Sequence, residues 1–342
     1  MKTLAKLLIL STLVLATGCA SETAEDSGAS EDAIGAKAPL GPEPRGKATA
    51  YPVVLISGFG TSPQYNTFKN VPDALRADGH DVYVADLPPF DSTAVRGAAL
   101  AKQIDAILAK TGAKKVNLIG HSSGGTDARE VITPTEGSTL TEGYGDRVAS
   151  ITTISSAHGG SPLADAALDA FDFVHDDLRV SDEAFDAFGK WLGKRFSDMA
   201  GDTKLRAGIT SMTVRNAGPF NESHPDDARV YYQSWAGVAG LAGVIRKVDD
   251  TACEGKRFGD TRVNGQVHLM LSPLSVALGS PSNDAIVPVE NAKHGKFRGC
   301  IPADHLGEIG GAPDEPQMNK HSGFDHVRFY RLMAFELAAK GF

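Results

Sequence analysis

Residues 116–129 read VNLIGHSSGGTDAR. An apolar run, KVNLI at 115–119, leads straight into two serines bracketed by glycines, and helical spacing resumes at Ala128 and Val131. That order reads as strand, sharp turn, helix. The turn meets the G-x-S-x-G spacing as Gly120-His121-Ser122-Ser123-Gly124. The spacing has a steric cause. A serine on such a turn has strained backbone angles, and a side chain two residues before or after it would collide with the neighbouring strand or helix. In this frame Ser122 is the nucleophile and the N–H of Ser123 points into an oxyanion hole. A frame centred on Ser123 needs glycine at position 121, which is His121. The pentapeptide alone is weak in a chain with 37 glycines; the strand and helix around it give it weight.

Outward from this turn the chain alternates between two periods. YPVVLIS at 51–57 is a strand followed by the loop Gly58-Phe59-Gly60. NVPDALRADG at 70–79 has helical spacing, and DVYVADL at 81–87 is again a strand. Residues 94–110 put Leu100, Ile104, Ile107 and Leu108 on one helical face, closed by Gly112. VASITTIS at 148–155 is a further strand. Strands alternating with helices predict an α/β fold, a mostly parallel sheet flanked by helices. Open parallel sheets carry their sites at the carboxyl ends of the strands. The loop after the first strand is therefore placed to supply a second oxyanion donor, the N–H of Phe59. Residues 163–200 interrupt the rhythm: one helical face is apolar, with Phe171, Val174 and Leu178, and the other acidic. They read as an inserted helical lid.

The whole chain has 342 residues, a net charge of −8, 42% hydrophobic and 22% charged residues. This composition is that of an ordinary globular protein, and the charge excludes nucleic acid as an expected partner. The first stretch, MKTLAKLLILSTLVLATGCA, has a basic start at Lys2 and Lys6 and an apolar run too short to span a bilayer. It ends Ala16-Thr17-Gly18-Cys19, which resembles a bacterial lipoprotein signal, cut after residue 18 with the lipid on the thiol of Cys19. Residues 19–50 are small, acidic and proline-bearing, and read as a disordered tether before a single domain at 51–342. The expectation is an exported protein, either secreted or held at the outer membrane through a lipidated Cys19. Export leaves Cys253 and Cys300, and two cysteines in an exported chain suggest one disulfide, the alternative being two buried thiols.

A nucleophilic serine needs a base, and the base an orienting acid. Asp284, in GSPSNDAIVPVENAKHG, sits at a loop rim before an apolar stretch. His305, in CIPADHLGEIGG, follows 21 residues later and five after Cys300. His294, His321 and His326 also follow Asp284. His326 opens an amphipathic helix and reads as a surface or capping residue. His121 reads as pointing away along the turn, His158 as structural or pocket-lining, and Asp86 as a loop or capping residue.

Together these segments resemble the bacterial triacylglycerol lipases of the pseudomonad type. YPVVLISGFG looks like their first strand and oxyanion loop. DALRADGHDVYVADL with RGAALAKQIDAILAKTGAKKVNLIGHSSGG looks like their central block. TACEG, VNGQVH, SNDAIVPV and DHLGEIG resemble their disulfide, acid and histidine segments. The resemblance runs from about residue 51 to 342 and is loose at 163–250. It implies an α/β-hydrolase fold, the triad Ser122, Asp284 and His305, a Cys253–Cys300 bridge and a mobile lid. The natural partner would be an ester or lipid substrate, and a dedicated foldase is the protein partner the resemblance raises.

Three positions depart from the family pattern. Ser57 stands where a histidine usually orders the oxyanion loop, and Ser123 where histidine or glutamine usually follows the nucleophile. Gly307 stands where the structural calcium takes an aspartate. Calcium needs several oxygen ligands, so the loss weakens that site, although Glu308 offers a carboxylate next door. The expected activity is a serine carboxylic-ester hydrolase, a lipase, without a metal in the reaction. A small-ester esterase or polyester depolymerase is the alternative within the class, and a non-catalytic surface lipoprotein the alternative outside it.

Overall fold

The computed structural model describes residues 40–61, 67–134, 138–178, 181, 183–184, 186–187, 204–269, 271–278, 282–311 and 318–342. The signal segment at 1–18, Cys19, and most of the second half of the 163–200 segment lie outside the described residues.

Six strands form one sheet: β1 (Val53–Ile56), β2 (Val82–Val84), β3 (Val116–His121), β4 (Val148–Ile154), β5 (Tyr231–Gly237) and β6 (Lys296–Ile301). Their spatial order is β2-β1-β3-β4-β5-β6, and every pairing is parallel. The chain goes from β1 outward to β2, then returns to β3 on the other side of β1. This reversal makes a crevice outside the carboxyl ends of β1 and β3. It places the loop with Phe59 and the turn with Ser122 beside each other.

The sheet is buried on both faces. In β1, Val53 and Leu55 join one apolar cluster, and Val54 and Ile56 join the other. Successive strand residues point to opposite faces, so a continuous apolar run is what a doubly covered strand requires. One face is covered by α1 (Val71–Ala77) and α8 (His326–Ala339), through Leu75, Phe329, Tyr330 and Met333. The other is covered by α2 (Thr93–Thr111) and α3 (Ser123–Ile132), through Leu100, Ile104, Ala128 and Val131. Ser92 caps α2 by accepting the Val95 N–H, and Gly112 ends it at φ 69.

Beyond β4 come α4 (Pro162–Leu178), α5 (Leu205–Ser211) and α6 (Val214–Ser223), and between β5 and β6 lies α7 (Lys247–Ala252). The first half of the expected lid is thus a helix. Ala167, Leu168 and Phe171 of α4 pack against Ile209 of α5, with Phe59 and Leu205 alongside.

Two expectations are corrected. Residues 40–50, read as tether, are packed on the body. Glu43 bridges Arg328 and Arg331, Leu40 packs against the core, and the Ala50 N–H reaches the Phe342 carbonyl at 2.7 Å. An acidic residue among small ones reads as solvated unless its two arginine partners, nearly 290 positions away, are known. His326 is not a surface residue. It is fully buried, with Nε2 2.7 Å from the Lys69 carbonyl oxygen, while Asp325 caps α8.

Cys253 and Cys300 are bridged. The bond ties the end of α7 to β6, and both carry parts of the site: buried Asp249 of α7 accepts from Ser282 Oγ at 2.7 Å, two residues before Asp284. The bridge closes a 47-residue separation, for which loop entropy alone gives about 4 kcal/mol. Replacing both cysteines by serine is expected to lower unfolding free energy by about 2–4 kcal/mol in a urea titration. An unchanged midpoint would contradict it.

Candidate active site

The turn after β3 has the strain the glycine frame requires. Ser122 sits at φ 56 and ψ −132, in a region that side-chain-bearing residues rarely adopt. A Cβ on Gly120 would lie 2.6 Å from the Gly124 backbone, and one on Gly124 would strike the Ile56 carbonyl of β1. Both glycines are therefore fixed by close approach of backbone. Ser123 is the first residue of α3, where an N–H has no acceptor within the helix.

The loop after β1 comes against the serine: a Cβ on Gly58 would lie 2.5 Å from Ser122 Cβ and 2.9 Å from Oγ. Gly58 therefore lies against Ser122, with Phe59 next in the chain. The loop is pinned on both sides of Phe59. Thr61 Oγ1 donates to the Gly58 carbonyl at 2.6 Å, and the Gly60 N–H to the Pro89 carbonyl at 2.7 Å.

Asp284 and His305 are brought together from separate loops. His305 Nδ1 is 2.7 Å from Asp284 Oδ2, and the His305 N–H donates to the Asp284 carbonyl at 2.8 Å. Asp284 is fully buried, and its Oδ1 accepts from the backbone N–H groups of Ile286 and Val287. The carboxylate is held at both oxygens, with Oδ2 on the imidazole. The His305 ring lies 4.5 Å from the ring of His121, the neighbour of Ser122.

The rival histidines are engaged elsewhere. His294 pairs with Asp226 and stacks on His158, whose Nε2 is 3.1 Å from Thr153 Oγ1. Both line a polar cavity of about 400 Å³ with Arg129 and Asn221, so the pocket-lining reading of His158 holds. His321 Nε2 is near the Gly243 carbonyl, and Asp86 bonds the Gln103 side chain through its backbone.

The roles of two residues were not found by sequence reasoning. The first is Arg96, 1% exposed. Its Nη2 donates to the Ser57 carbonyl at 2.8 Å, its Nη1 to the Pro88 carbonyl at 2.6 Å, and its Nε to Asp127 Oδ2 at 2.8 Å. One guanidinium thus ties the loops after β1 and β2 to the helix that carries Ser122. The loop after β1, with Ser57 where the resemblance expects histidine, is thus held by Arg96. Burial outweighs the guanidinium at Asp127 and pushes its carboxyl up to about 6. The available signal was a charged residue four before Leu100, on the core face of α2.

The second is Glu308, fully buried. Ser155 Oγ donates to its Oε1 at 2.6 Å, its Oε2 is 3.0 Å from His121 Nε2, and it contacts the Asp284 carboxyl. Gly237 has no side chain because a Cβ there would fall on Oε1. His121 therefore does not point away along the turn; it lies between Glu308 and His305. Burial and the nearby Asp284 charge push the Glu308 carboxyl well above its ordinary range, and burial lowers His121. The neutral forms of both are favoured. Folded Glu308 keeps a proton that the unfolded chain releases, so its contribution falls as pH rises above the ordinary carboxyl range. Glu308→Gln is expected to remove that limb, up to about 1.4 kcal/mol per pH unit, in urea titrations from pH 5 to 8. Parallel curves for variant and wild type would contradict this.

The carboxylates on either side of Gly307, where the resemblance puts a calcium ligand, are engaged in other contacts. The Gly307 N–H donates to Asp304 Oδ1, whose other oxygen accepts from His268, and Glu308 is turned inward. Among the described His, Cys, Asp and Glu side chains, the group close enough to share one ion is His121, His305 and Glu308, two of them nitrogen donors, whereas calcium prefers oxygen.

Comparison with known proteins agrees with this geometry. A family model described as alpha/beta hydrolase fold matches residues 51–238. A triacylglycerol lipase of Vibrio cholerae is 28% identical over 312 residues, covering 86% of this chain and 89% of the relative. One from Burkholderia plantarii is 32% identical over 191 residues, 52% of this chain and 49% of the relative. Among solved structures, a metagenomic carboxyl esterase superposes with a TM-score of 0.61 at 16% identity, covering 98% of this chain and 91% of its own. Staphylococcus hyicus lipase gives 0.57 at 18%, covering 87% and 98%.

Proposed function

The chain belongs to the alpha/beta hydrolase fold family, and from that premise we propose that it is a serine carboxylic-ester hydrolase acting on acylglycerol-type esters. The observation that carries the reading is the convergence of four strand ends. Ser122 stands strained beside the glycine loop after β1, and the His305–Asp284 pair is held at 2.7 Å from the ends beyond β5 and β6. The relatives described as triacylglycerol lipases support the substrate class.

In the reaction Ser122 Oγ attacks the ester carbonyl carbon and gives its proton to His305 Nε2. Asp284 fixes the Nδ1–H tautomer and stabilises the imidazolium. The N–H groups of Phe59 and Ser123 hold the oxygen that becomes negative. Collapse breaks the bond to the alcohol, which leaves with the proton from His305. Water then repeats the sequence on the acyl-enzyme and frees the acid. Long acyl chains have an apolar neighbour at the site, since Phe59 adjoins the Leu168–Phe171–Ile209 cluster. Export, with a lipid on Cys19, is part of the same proposal.

The test is a series of p-nitrophenyl esters from acetate to long acyl chains, with fluorophosphonate labelling of the intact protein. Labelling of Ser122 and rates rising toward long chains are expected. Turnover confined to acetate and butyrate would replace the lipase by a small-ester esterase. No labelling and no turnover would leave a non-catalytic protein on this fold.

A further inference from the structure

Helix α5 is glycine at its centre for no reason of its own. Gly208 lies within seven helical residues and is outside the left-handed region, and alanine is the better helix former. Its reason is contact. A Cβ there would lie 2.5 Å from Phe59 Cε2 and 3.0 Å from the Asp91 carbonyl. On its other side the Phe59 ring packs edge-on against Phe90, with centroids 5.2 Å apart. The ring is thus held between Phe90 and the bare backbone of α5.

The clamp is fixed to the same frame as the oxyanion loop. The Gly60 N–H bonds Pro89, and the Thr93 N–H is 3.3 Å from Ser211 Oγ at the end of α5. The Asp91 carboxylate accepts from the Lys204 backbone at the start of α5. Both ends of α5 therefore bear on the segment 89–93, and its middle bears on Phe59.

We propose that Gly208 is a positioning residue for the oxyanion hole, its missing side chain setting the seat of the Phe59 ring and hence the direction of the Phe59 N–H. The inference rests on the ester-hydrolase reading. It extends it by making α5, which touches neither Ser122 nor the acid–base pair in any described contact, a determinant of transition-state binding. The oxyanion donor acts only on the developing charge, so a displaced N–H lowers kcat and leaves KM nearly alone.

The experiment is a double-mutant cycle with Gly208→Ala and Phe59→Leu. Leucine keeps the N–H and removes the ring atom that would clash. Gly208→Ala alone is expected to lower kcat by about 10- to 100-fold, with KM and the thermal midpoint little changed. In the Phe59→Leu background the same change is expected to matter by no more than about twofold. A wild-type kcat for Gly208→Ala, or an equal loss in both backgrounds, would overturn the proposal. If Gly208→Ala does not fold, the Phe59→Leu pair still decides it: a large further loss on adding Gly208→Ala would place the role of Gly208 elsewhere. Wild-type turnover and fluorophosphonate labelling, measured alongside, report separately on the ester-hydrolase reading.

Discussion

Ser122→Ala is expected to lower kcat for ester hydrolysis by about 10⁴- to 10⁶-fold, because no other group can carry the acyl intermediate. The oxyanion donors and the bound geometry survive the change. A residual rate of roughly 10³- to 10⁴-fold over uncatalysed hydrolysis should therefore persist. Substrate binding should be almost untouched, since Oγ contributes to bond making and not to recognition. The measurement is steady-state hydrolysis of one p-nitrophenyl ester, with thermal unfolding as the control for folding. Ser122→Gly adds a second reading. Its backbone is at φ 56, so glycine is expected to be more stable than alanine at this position by about 1 kcal/mol or more. Activity retained in both variants would move the nucleophile elsewhere.

The second large effect concerns Arg96. Its pair with Asp127 is almost wholly out of water, at 1% and 0% side-chain exposure. Removing one partner strands the other in the interior. Arg96→Met is expected to cost about 3–5 kcal/mol of unfolding free energy, whereas replacing both partners by apolar residues of similar volume is far milder. The double variant Arg96→Met/Asp127→Leu separates the two duties of this arginine. It should regain most of the stability, because no charge is left unpaired. It should not regain kcat, because the Ser57 and Pro88 carbonyls still lack their donor and the loop bearing Phe59 is loose. Urea titration and kcat on one ester test both. A loss below about 1 kcal/mol in the single variant would show that the pair is not held as described.

The parts of this molecule legible in sequence are those with a local signature. The glycines around Ser122 mark a turn whether or not the partner strand is known, and the close approaches of Gly120 and Gly124 explain why. The alternation of β-branched runs with helical spacing gave the parallel sheet, and Gly112 the end of α2. Asp284 and His305 were found through turn context, chain order and family resemblance, and the structure puts them in contact.

What was missed has no local signature. Arg96 and Glu308 are ionisable residues inside the protein, and their meaning lies in partners 31 and 187 positions away. A single sequence shows the charge but not the carbonyl or histidine that satisfies it. The same holds for Glu43, whose arginines are on the last helix, and for His326, whose acceptor is a backbone carbonyl of Lys69. Amphipathic periodicity put His326 at the start of α8 without telling which side it faced. Polar groups that organise the site are thus the hardest to read, because burial makes them strong and distance in sequence hides them.

The packed segment upstream of β1 also fixes an orientation. Gly41 meets Arg328 in the first turn of α8, Gly46 lies on Phe335, and Ala50 bonds Phe342 at the far end. The segment therefore runs alongside α8 from its beginning to its end. The beginning of α8 stands next to Lys69 and Gly310, just past the His305 loop. Leu40 and Gly41 therefore stand on the side to which β1 and β3 deliver Phe59 and Ser122. A pull on the chain at Leu40 thus meets the Glu43 bridges to Arg328 and Arg331 before it can reach β1 and the loop with Phe59.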